Sequence, residues 1–552
     1  MKDLLLKSVK NVDLPGFDPD VKQSKAIIQR LAEQMNKGER IMHRFTRWFL
    51  FILAVILFAV SAPVHASRYN VKDYGAVGDG NAIDSPAINK AIESAATHGG
   101  GTIYFPAGDY LSFSIRLQSD IGLYLDHGAT IIAADPGEHD GGYDPAEPNQ
   151  WDEYQDYGHS HWRNSLIWGV NIQNISISGH GTIFGKGLRR WDTEKTGEGN
   201  KAIALKNCRN VTINDITIRK GGHFCILPTG VDNLTIDNLT IDSNRDGINI
   251  DCCTNVRISN CVVNTPNDDA IVLKSSYALG YPRITRNVTI ANCQVSGYDF
   301  DTLLDGTYTT TQKQAPDKGG VTGRIKFGTE SNGGFKNITI TNCTFDHCRG
   351  LAIETVDGGV LEDVTISNIT MSDITNAPIF LRLGRRMRAP EGAKVGVMRR
   401  ITISNVIVDG ANPEYGSLIL GLPNHKIQDV KLNNIQFLVR GGAPKEYSEI
   451  EVPELEEDYP DPRLFGKIPA YGFFIRHVNG IEFNNVEVKF MERDFRPAMM
   501  LEDVHNVSFH GMKTEKVSGV PTFRLRDVTN FKVHQSKPVP DIELANAGQK
   551  DL

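Results

Sequence analysis

Asp246 lies in Asn244-Arg245-Asp246-Gly247, and Asp268 and Asp269 stand side by side in Asn267-Asp268-Asp269, beginning 22 residues after Asp246. If the chain brings these three carboxylates together, they can do acid–base work. Crowded like charges are costly, and one member responds with a raised proton affinity. A protonated carboxyl beside an ionised one is a general acid beside a general base at neutral pH. Two-carboxylate sites of this kind hydrolyse glycosidic bonds. Asp-Gly and Asn-Asp are also common turn strings, so each motif alone reads first as a turn cap. The interval between them is what points to chemistry.

That interval matters because the chain repeats itself. Apolar and polar residues alternate about a central Asn in NISISGHGT (from Asn174), NVTINDITI (Asn210), NLTIDNLTI (Asn233), NVRISNCVV (Asn255), NVTIANCQV (Asn287), NITITNCTF (Asn337) and DVTISNITM (Asp363). Further copies begin at Arg400, Asp429, Gly480 and Asn506, with a weak one at Asn530. The cleanest spacings run from 22 to 26 residues. Each copy reads as two short strands bent at the central Asn, and no copy can bury its apolar face alone. Periods of this length without helical spacing indicate an all-β, single-stranded parallel solenoid. Residues one coil apart then stack about 4.8 Å from each other, which gathers Asp246, Asp268 and Asp269 on one patch. Neighbours on a regular strand face opposite sides, so Asp268 and Asp269 need a bend, which Pro266-Asn267 can supply. Asn238, Asn260, Asn292, Asn342 and Asn368 suit left-handed bends and can form a stacked hydrogen-bonded ladder. Cys261, Cys293 and Cys343, just after the bends, read as small core residues.

Two other segments stand out. Ser85–Ala96 carries Ile88, Ala91, Ile92 and Ala95 at helical spacing, with Pro86 in the first turn and Asp84 as N-cap. This helix is expected to cap the N-terminal end of the solenoid. The tract Gly441–Pro469, rich in Pro and Glu, reads as a long surface loop. With the insert Tyr298–Gly320 it can wall off one end of a cleft.

Composition limits the alternatives. A chain of 552 residues exceeds one compact core, so it must divide or repeat. The 66 acidic against 59 basic residues exclude a global electrostatic grip on nucleic acid. Eight cysteines do not make a disulfide scaffold at this length. No phosphate loop, dinucleotide fingerprint or zinc spacing occurs, so neither cofactor nor metal is expected. His43, Arg44 and Arg47 precede the apolar run Trp48–Val60, followed by small residues Val64 and Ala66. This is the pattern of a signal peptide. The expected division is a mis-assigned extension (1–41), a signal peptide (42–66) and a β-helix domain (67–552). The mature chain is expected to be secreted or periplasmic, monomeric and without a membrane span.

The residues between Val71 and about position 410 resemble glycoside hydrolase family 28, the polygalacturonases. The resemblance is carried by VKDYGAVGDGNAIDSPAINKAI (Val71 to Ile92), GGGTIYFPAGDYL (from Gly99), Asn244-Arg245-Asp246 and Asp268-Asp269. It implies a right-handed parallel β-helix and inverting hydrolysis of α-linked galacturonides, in pectic polysaccharide or its oligomers. It also implies Asp268 as general acid, with Asp246 and Asp269 holding and activating the water. Three positions depart from the family pattern. Arg245 replaces Thr, Arg324 stands where a His is expected, and Ala352-Ile353-Glu354 falls where Arg-Ile-Lys belongs. Arg324-Ile325-Lys326 spells that triplet one coil early. Arg324 and Lys326 are thus expected to meet a substrate carboxylate. Asn244 and His223 are further expected sugar contacts, although His223 reads equally as a packed histidine. Three rival readings stay open. One is a rhamnogalacturonan-type hydrolase; another is a pectate-type lyase holding calcium on the three Asp residues with Arg324 as base. The third is a β-helical glycan-binding protein without catalysis.

Overall fold

Alternation puts Val211, Ile213, Leu234, Ile236, Val256 and Ile258 inward, where none exceeds 1% exposure. They lie on the strands Arg209–Asn214, Asp232–Asp237 and Thr254–Ser259. Burying each such side chain stabilises the fold by about 1.5–3 kcal/mol. The strands stack in parallel, with Val211 beside Leu234 and Leu234 beside Val256. After the bend the chain continues as Thr217–Arg219, Thr240–Asp242 and Val262–Asn264, again stacked in parallel. The computed structural model describes residues 68–191, 195–311 and 320–552. The expected extension and signal peptide lie outside the described residues, as do residues 312–319 of the Tyr298–Gly320 insert.

Each coil holds a third strand that the repeat does not contain. These strands are β1 (Phe224–Thr229), β2 (Asp246–Asp251), β3 (Ile271–Ser275), β4 (Ile325–Ser331) and β5 (Leu351–Thr355), each paired in parallel with the next. Every residue in them is buried. A parallel strand covered on both faces shows no apolar–polar alternation, so the pattern that reveals its neighbours is silent here.

The central Asn bends are left-handed, with φ between 52° and 57° at Asn238, Asn260, Asn292, Asn342 and Asn368. From Asn260 on their amides form the expected ladder: Asn292 donates to Asn260 at 3.2 Å, Asn342 to Asn292 at 3.2 Å and Asn368 to Asn342 at 3.0 Å, whereas Asn260 donates to Asp237 at 2.8 Å instead of to Asn238. A second ladder runs along the first residue of each copy. There Asn210 donates to Asn174 at 2.8 Å, Asn233 to Asn210 at 2.9 Å and Asn255 to Asn233 at 3.1 Å.

Both ends of the stack are covered. Helix α1 (Ser85–Thr97) packs Ile88, Ala91, Ile92 and Ala95 against the first coils. Asp84 makes no side-chain cap. Its carboxylate instead accepts from the Val77 and Gly78 amides at 2.6 and 2.9 Å, which ties the preceding loop to the helix start. At the other end Ile542–Asp551 pairs antiparallel with Phe523–His534 and closes the sheet edge. All eight cysteines are buried and free.

The Gly441–Pro469 tract is more than a surface loop. Val452, Phe465 and Ile468 from it join Phe380, Leu418 and Phe474 in a second apolar cluster outside the coil. Arg382 and Arg476 hold it by its carbonyls, Arg382 at Glu454 and Leu455 (2.8 and 2.7 Å) and Arg476 at Val452 and Pro453 (2.7 Å each). It folds back over the sheet that contains β2 to β5.

Candidate active site

Asp246 is the first residue of β2, and Asp268 and Asp269 sit in the turn leading into β3. Ile248 pairs with Ile271 and Ile271 with Ile325. The Gly247 amide donates to Asp269 O at 3.1 Å, and the Ala270 amide to Arg324 O at 2.9 Å. Asp269, not Asp268, is therefore level with Asp246, and the coil step here is one residue longer than the expected 22. A Cβ on Gly247 would lie 2.7 Å from Val263 Cγ1 in the core, so position 247 faces inward and Asp246 faces away from the core.

The bend before β3 is built by hydrogen bonds. Thr265 Oγ1 and the Gly323 amide both donate to Asp268 O at 2.9 Å. Gly323 has φ 55°, and a Cβ there would sit 2.2 Å from Ser296 O. Only glycine fits this approach. One strand back, Asn264 donates to Asp242 at 3.1 Å and Ser296 to Asn264 at 3.0 Å. This polar stack fixes the bends that aim the three carboxylates.

Each of the three is 5% exposed, and each has a different electrostatic setting. Burial pushes Asp269 up, but Lys326 and Arg324 outweigh it and hold the carboxyl below its usual range. Arg324 Nε donates to Asp269 Oδ1 at 2.9 Å, and Lys326 Nζ lies 3.5 Å from Oδ2. Asp268 Oδ2 lies 3.3 Å from Arg245 Nη2, and its Oδ1 accepts from the Asp269 amide at 3.0 Å. Burial, then the Asp268 charge, raises Asp246 well above the ordinary value.

Arg324 lines the cavity described below, but it and Lys326 are already engaged by carboxylates of this chain. Their side chains are 4% and 2% exposed, and Asp269 and Glu354 share them. Glu354 Oε1 lies 4.0 Å from Arg324 Nη2 and Oε2 lies 3.7 Å from Lys326 Nζ. Glu354 thus stands beside both cations. Burial pushes its carboxyl up to about 7, with Lys326 and Arg324 opposing.

Above this group lies a cavity of about 250 Å³ lined by Asp268, Asp269, Thr322, Arg324 and Arg349, with Tyr459, Asp461, Arg463 and Leu464 of the folded-back tract. Asp461 pairs with Arg349 at 3.2 Å and with Arg463 at 2.6 Å. Tyr459 Oη meets Lys326 Nζ at 3.1 Å. Of the other expected contacts, His223 is 3% exposed, with its ring 4.2 Å from that of Phe224 and within the field of Arg245 and Asp268. Asn244 is half-buried beside Asp246, and its carbonyl accepts from Arg190 at 3.3 Å.

A second charged group sits at the far end of β3 and β4. Lys274 Nζ lies 2.6 Å from Glu330 Oε2, both buried. Asp156, His159 and Glu330 have potential ligand atoms within 4.8 Å of one another. Three cations already surround Glu330, with Arg388 at 3.9 Å and Arg386 at 4.0 Å besides Lys274. This charge balance disfavours a metal ion there.

A family model described as "Rhamnogalacturonase A/epimerase, pectate lyase-like" matches residues 68–299. A Vitis vinifera protein named "Probable polygalacturonase" is 26% identical over 341 residues, 57% of this chain and 62% of its own length. The chain is polygalacturonase-like. The solved Family 28 exopolygalacturonase of Yersinia enterocolitica superposes with a TM-score of 0.57 at 18% identity, covering 86% of this chain and 78% of that one. A hyperthermoactive exopolygalacturonase from Thermotoga maritima gives 0.51 at 17% identity, covering 88% and 95%. At these identities the likeness carries the fold, a right-handed parallel β-helix. Among the described residues of this polygalacturonase-like chain, Glu354, Arg349, Asp461 and Tyr459 are site residues that sequence reasoning did not propose.

Proposed function

We infer that the chain is an exported glycoside hydrolase that cleaves α-linked galacturonide bonds in pectic polysaccharide or its oligomers by inverting acid–base hydrolysis. The observation that carries this reading is the buried trio Asp246, Asp268 and Asp269. Its members share one small volume, and their surroundings push their proton affinities apart. That difference is the condition for an acid and a base to coexist at one pH. The polygalacturonase relatives support the substrate class. In the reaction one carboxyl protonates the glycosidic oxygen while another takes a proton from the attacking water, and no metal is needed. The cavity roofed by Tyr459 and Asp461 limits how much chain extends past the trio, which supports cleavage at chain ends.

The test is anomer-resolved NMR of products from defined galacturonate oligomers, with chelator present. Inverted product at undiminished rate is expected. Retained configuration, an unsaturated product or loss of activity in chelator would overturn the reading. The neutralised pair Arg324 and Lys326 favours a second reading, a hydrolase of the alternating rhamnose–galacturonate backbone. Faster turnover of rhamnogalacturonan oligomers than of galacturonate oligomers would establish it.

A further inference from the structure

Trp191 stands exposed beside the carboxylate trio. Of the four described tryptophans it is the exposed one, at 44%. Trp162 is fully buried, and Trp168 donates its indole N–H to Asp144 at 2.8 Å. Single exposed apolar side chains are ordinary, but this one is held in place. The Arg189 amide donates to Gly199 O at 2.8 Å, and the Arg189 guanidinium pairs with Asp135 at 3.2 Å and Glu198 at 3.1 Å. Asn200 donates to Trp191 O at 3.4 Å. Arg190 Nε donates to Asn244 O at 3.3 Å, in the turn before β2. The guanidinium carbons of Arg190 and Arg245 lie over the indole, 4.4 and 5.5 Å from the ring centroid. Arg245 in turn reaches Asp268 Oδ2 at 3.3 Å. One side chain therefore separates the indole from the trio.

We propose that Trp191 is a substrate-binding residue, the platform on which a uronate ring of the pectic chain stacks, on the side of the trio away from the roofed cavity. This rests on the hydrolase reading and deepens it. A pyranose presents a face of C–H groups and a rim of hydroxyls, so its face can cover an aromatic ring while its rim stays wet. A rigid aromatic side chain loses little freedom on binding, and the two guanidiniums fix its orientation before the sugar arrives. They also place positive charge at the ring, which favours an acidic sugar over a neutral one. Position along the stack gives the side. The cavity is lined by residues from the turn before β3 onward and by the folded-back tract, and Trp191 is not part of that lining. Trp191 precedes β1 in the chain and reaches Arg245 in the turn before β2. Substrate seated in the cavity thus has one end under Tyr459 and Asp461, and the rest of the chain leaves over Trp191.

The experiment is a fluorescence titration of the full chain carrying Asp269→Asn, which slows turnover and leaves the Arg245–Asp268 contact in place. Galacturonate oligomers should shift the tryptophan emission to saturation, and adding Trp191→Leu should abolish the shift. Neutral galactose oligomers of the same length should bind more weakly. Steady-state kinetics supply the second readout. Trp191→Leu alone should raise KM for galacturonate oligomers about 2- to 12-fold, the range for one pair of stacked rings. Its kcat should be little altered, because the platform binds ground state and transition state alike. Trp191→Phe should restore most of the affinity. A ring that only supports the fold would instead lower kcat or change the circular dichroism spectrum. An emission shift that survives Trp191→Leu, an unchanged KM in that variant, or equal binding of neutral oligomers would overturn the proposal. A wild type that hydrolyses no galacturonide would remove the hydrolase reading, while a Trp191-dependent shift would still locate the sugar platform.

Discussion

Replacing Glu354 with Gln should stabilise the protein at alkaline pH and leave it unchanged in acid. Glu354 is fully buried, neither oxygen receives a hydrogen bond, and its nearest cations stand 3.7 and 4.0 Å away. Burial pushes the carboxyl from the ordinary 4.5 up to about 7. The folded state therefore binds this proton more tightly than the unfolded state. The resulting stability is fully present below pH 4.5 and is lost as pH rises to about 7. A gap of this size corresponds to about 3 kcal/mol. Gln keeps the shape without titrating, so the variant should exceed wild type by about 3 kcal/mol at pH 8 and match it near pH 4.5. Urea unfolding followed by circular dichroism at both pH values measures this. A variant less stable at pH 8, or one offset equally at both pH values, would refute the argument. The same change releases Arg324 and Lys326 from a competing carboxylate. KM for galacturonate oligomers should then fall at pH 8 with kcat little altered.

Asp268→Asn should lower kcat by about 10²–10⁴-fold with an unchanged circular dichroism spectrum; retention of more than a tenth of the activity would remove Asp268 from the chemistry. Lys274→Met leaves Glu330 buried without its closest partner, a change that costs about 3–5 kcal/mol. Arg386 and Arg388 stay within 4.0 Å of Glu330, so the low end is expected in a urea melt, and adding Glu330→Gln should recover much of the loss. Asp461→Ala unties Arg349 and Arg463 and loosens the cavity roof. Chromatography of products from long oligomers should then show internal cleavage, and products cut only from chain ends would show that this segment sets no limit.

The sequence reveals the parts of this fold that stack at regular intervals. The two outer strands of each coil alternate, and their bends need a residue that tolerates positive φ and can hydrogen-bond to its copy one coil away. Asn meets both demands, so it marks the period. The central-bend ladder is foreseen from Asn238 to Asn368 and stands from Asn260 onward, and the second ladder stands in the same copies. The strands carrying the chemistry leave no such mark because both of their faces are covered. Asp246 and Asp269 are placed together only by counting coils from the flanking repeats, and that count is off by one residue at the turn between β2 and β3.

The rest of the site comes from contacts that have no period. Asp461 reaches Arg349 across 112 residues, by a chain segment that leaves the stack and returns over it. What directs that segment is the apolar cluster of Val452, Phe465 and Ile468 on the outer sheet face, together with Arg382 and Arg476 gripping its carbonyls. Pro and Glu content masks this anchoring, because the few buried residues follow no repeat. Glu354 shows the same limit in electrostatic form. Against the family pattern an acid in place of a base reads as a lost cation. The structure shows a group instead in which two carboxylates, Asp269 and Glu354, flank Arg324 and Lys326 in a buried site. Asp269, and Glu354 once it ionises above about pH 7, offset the two buried cations in part. The Arg324-Ile325-Lys326 triplet and Glu354 therefore make physical sense as one unit, and a substrate carboxylate bound there must compete with Glu354 for the cations.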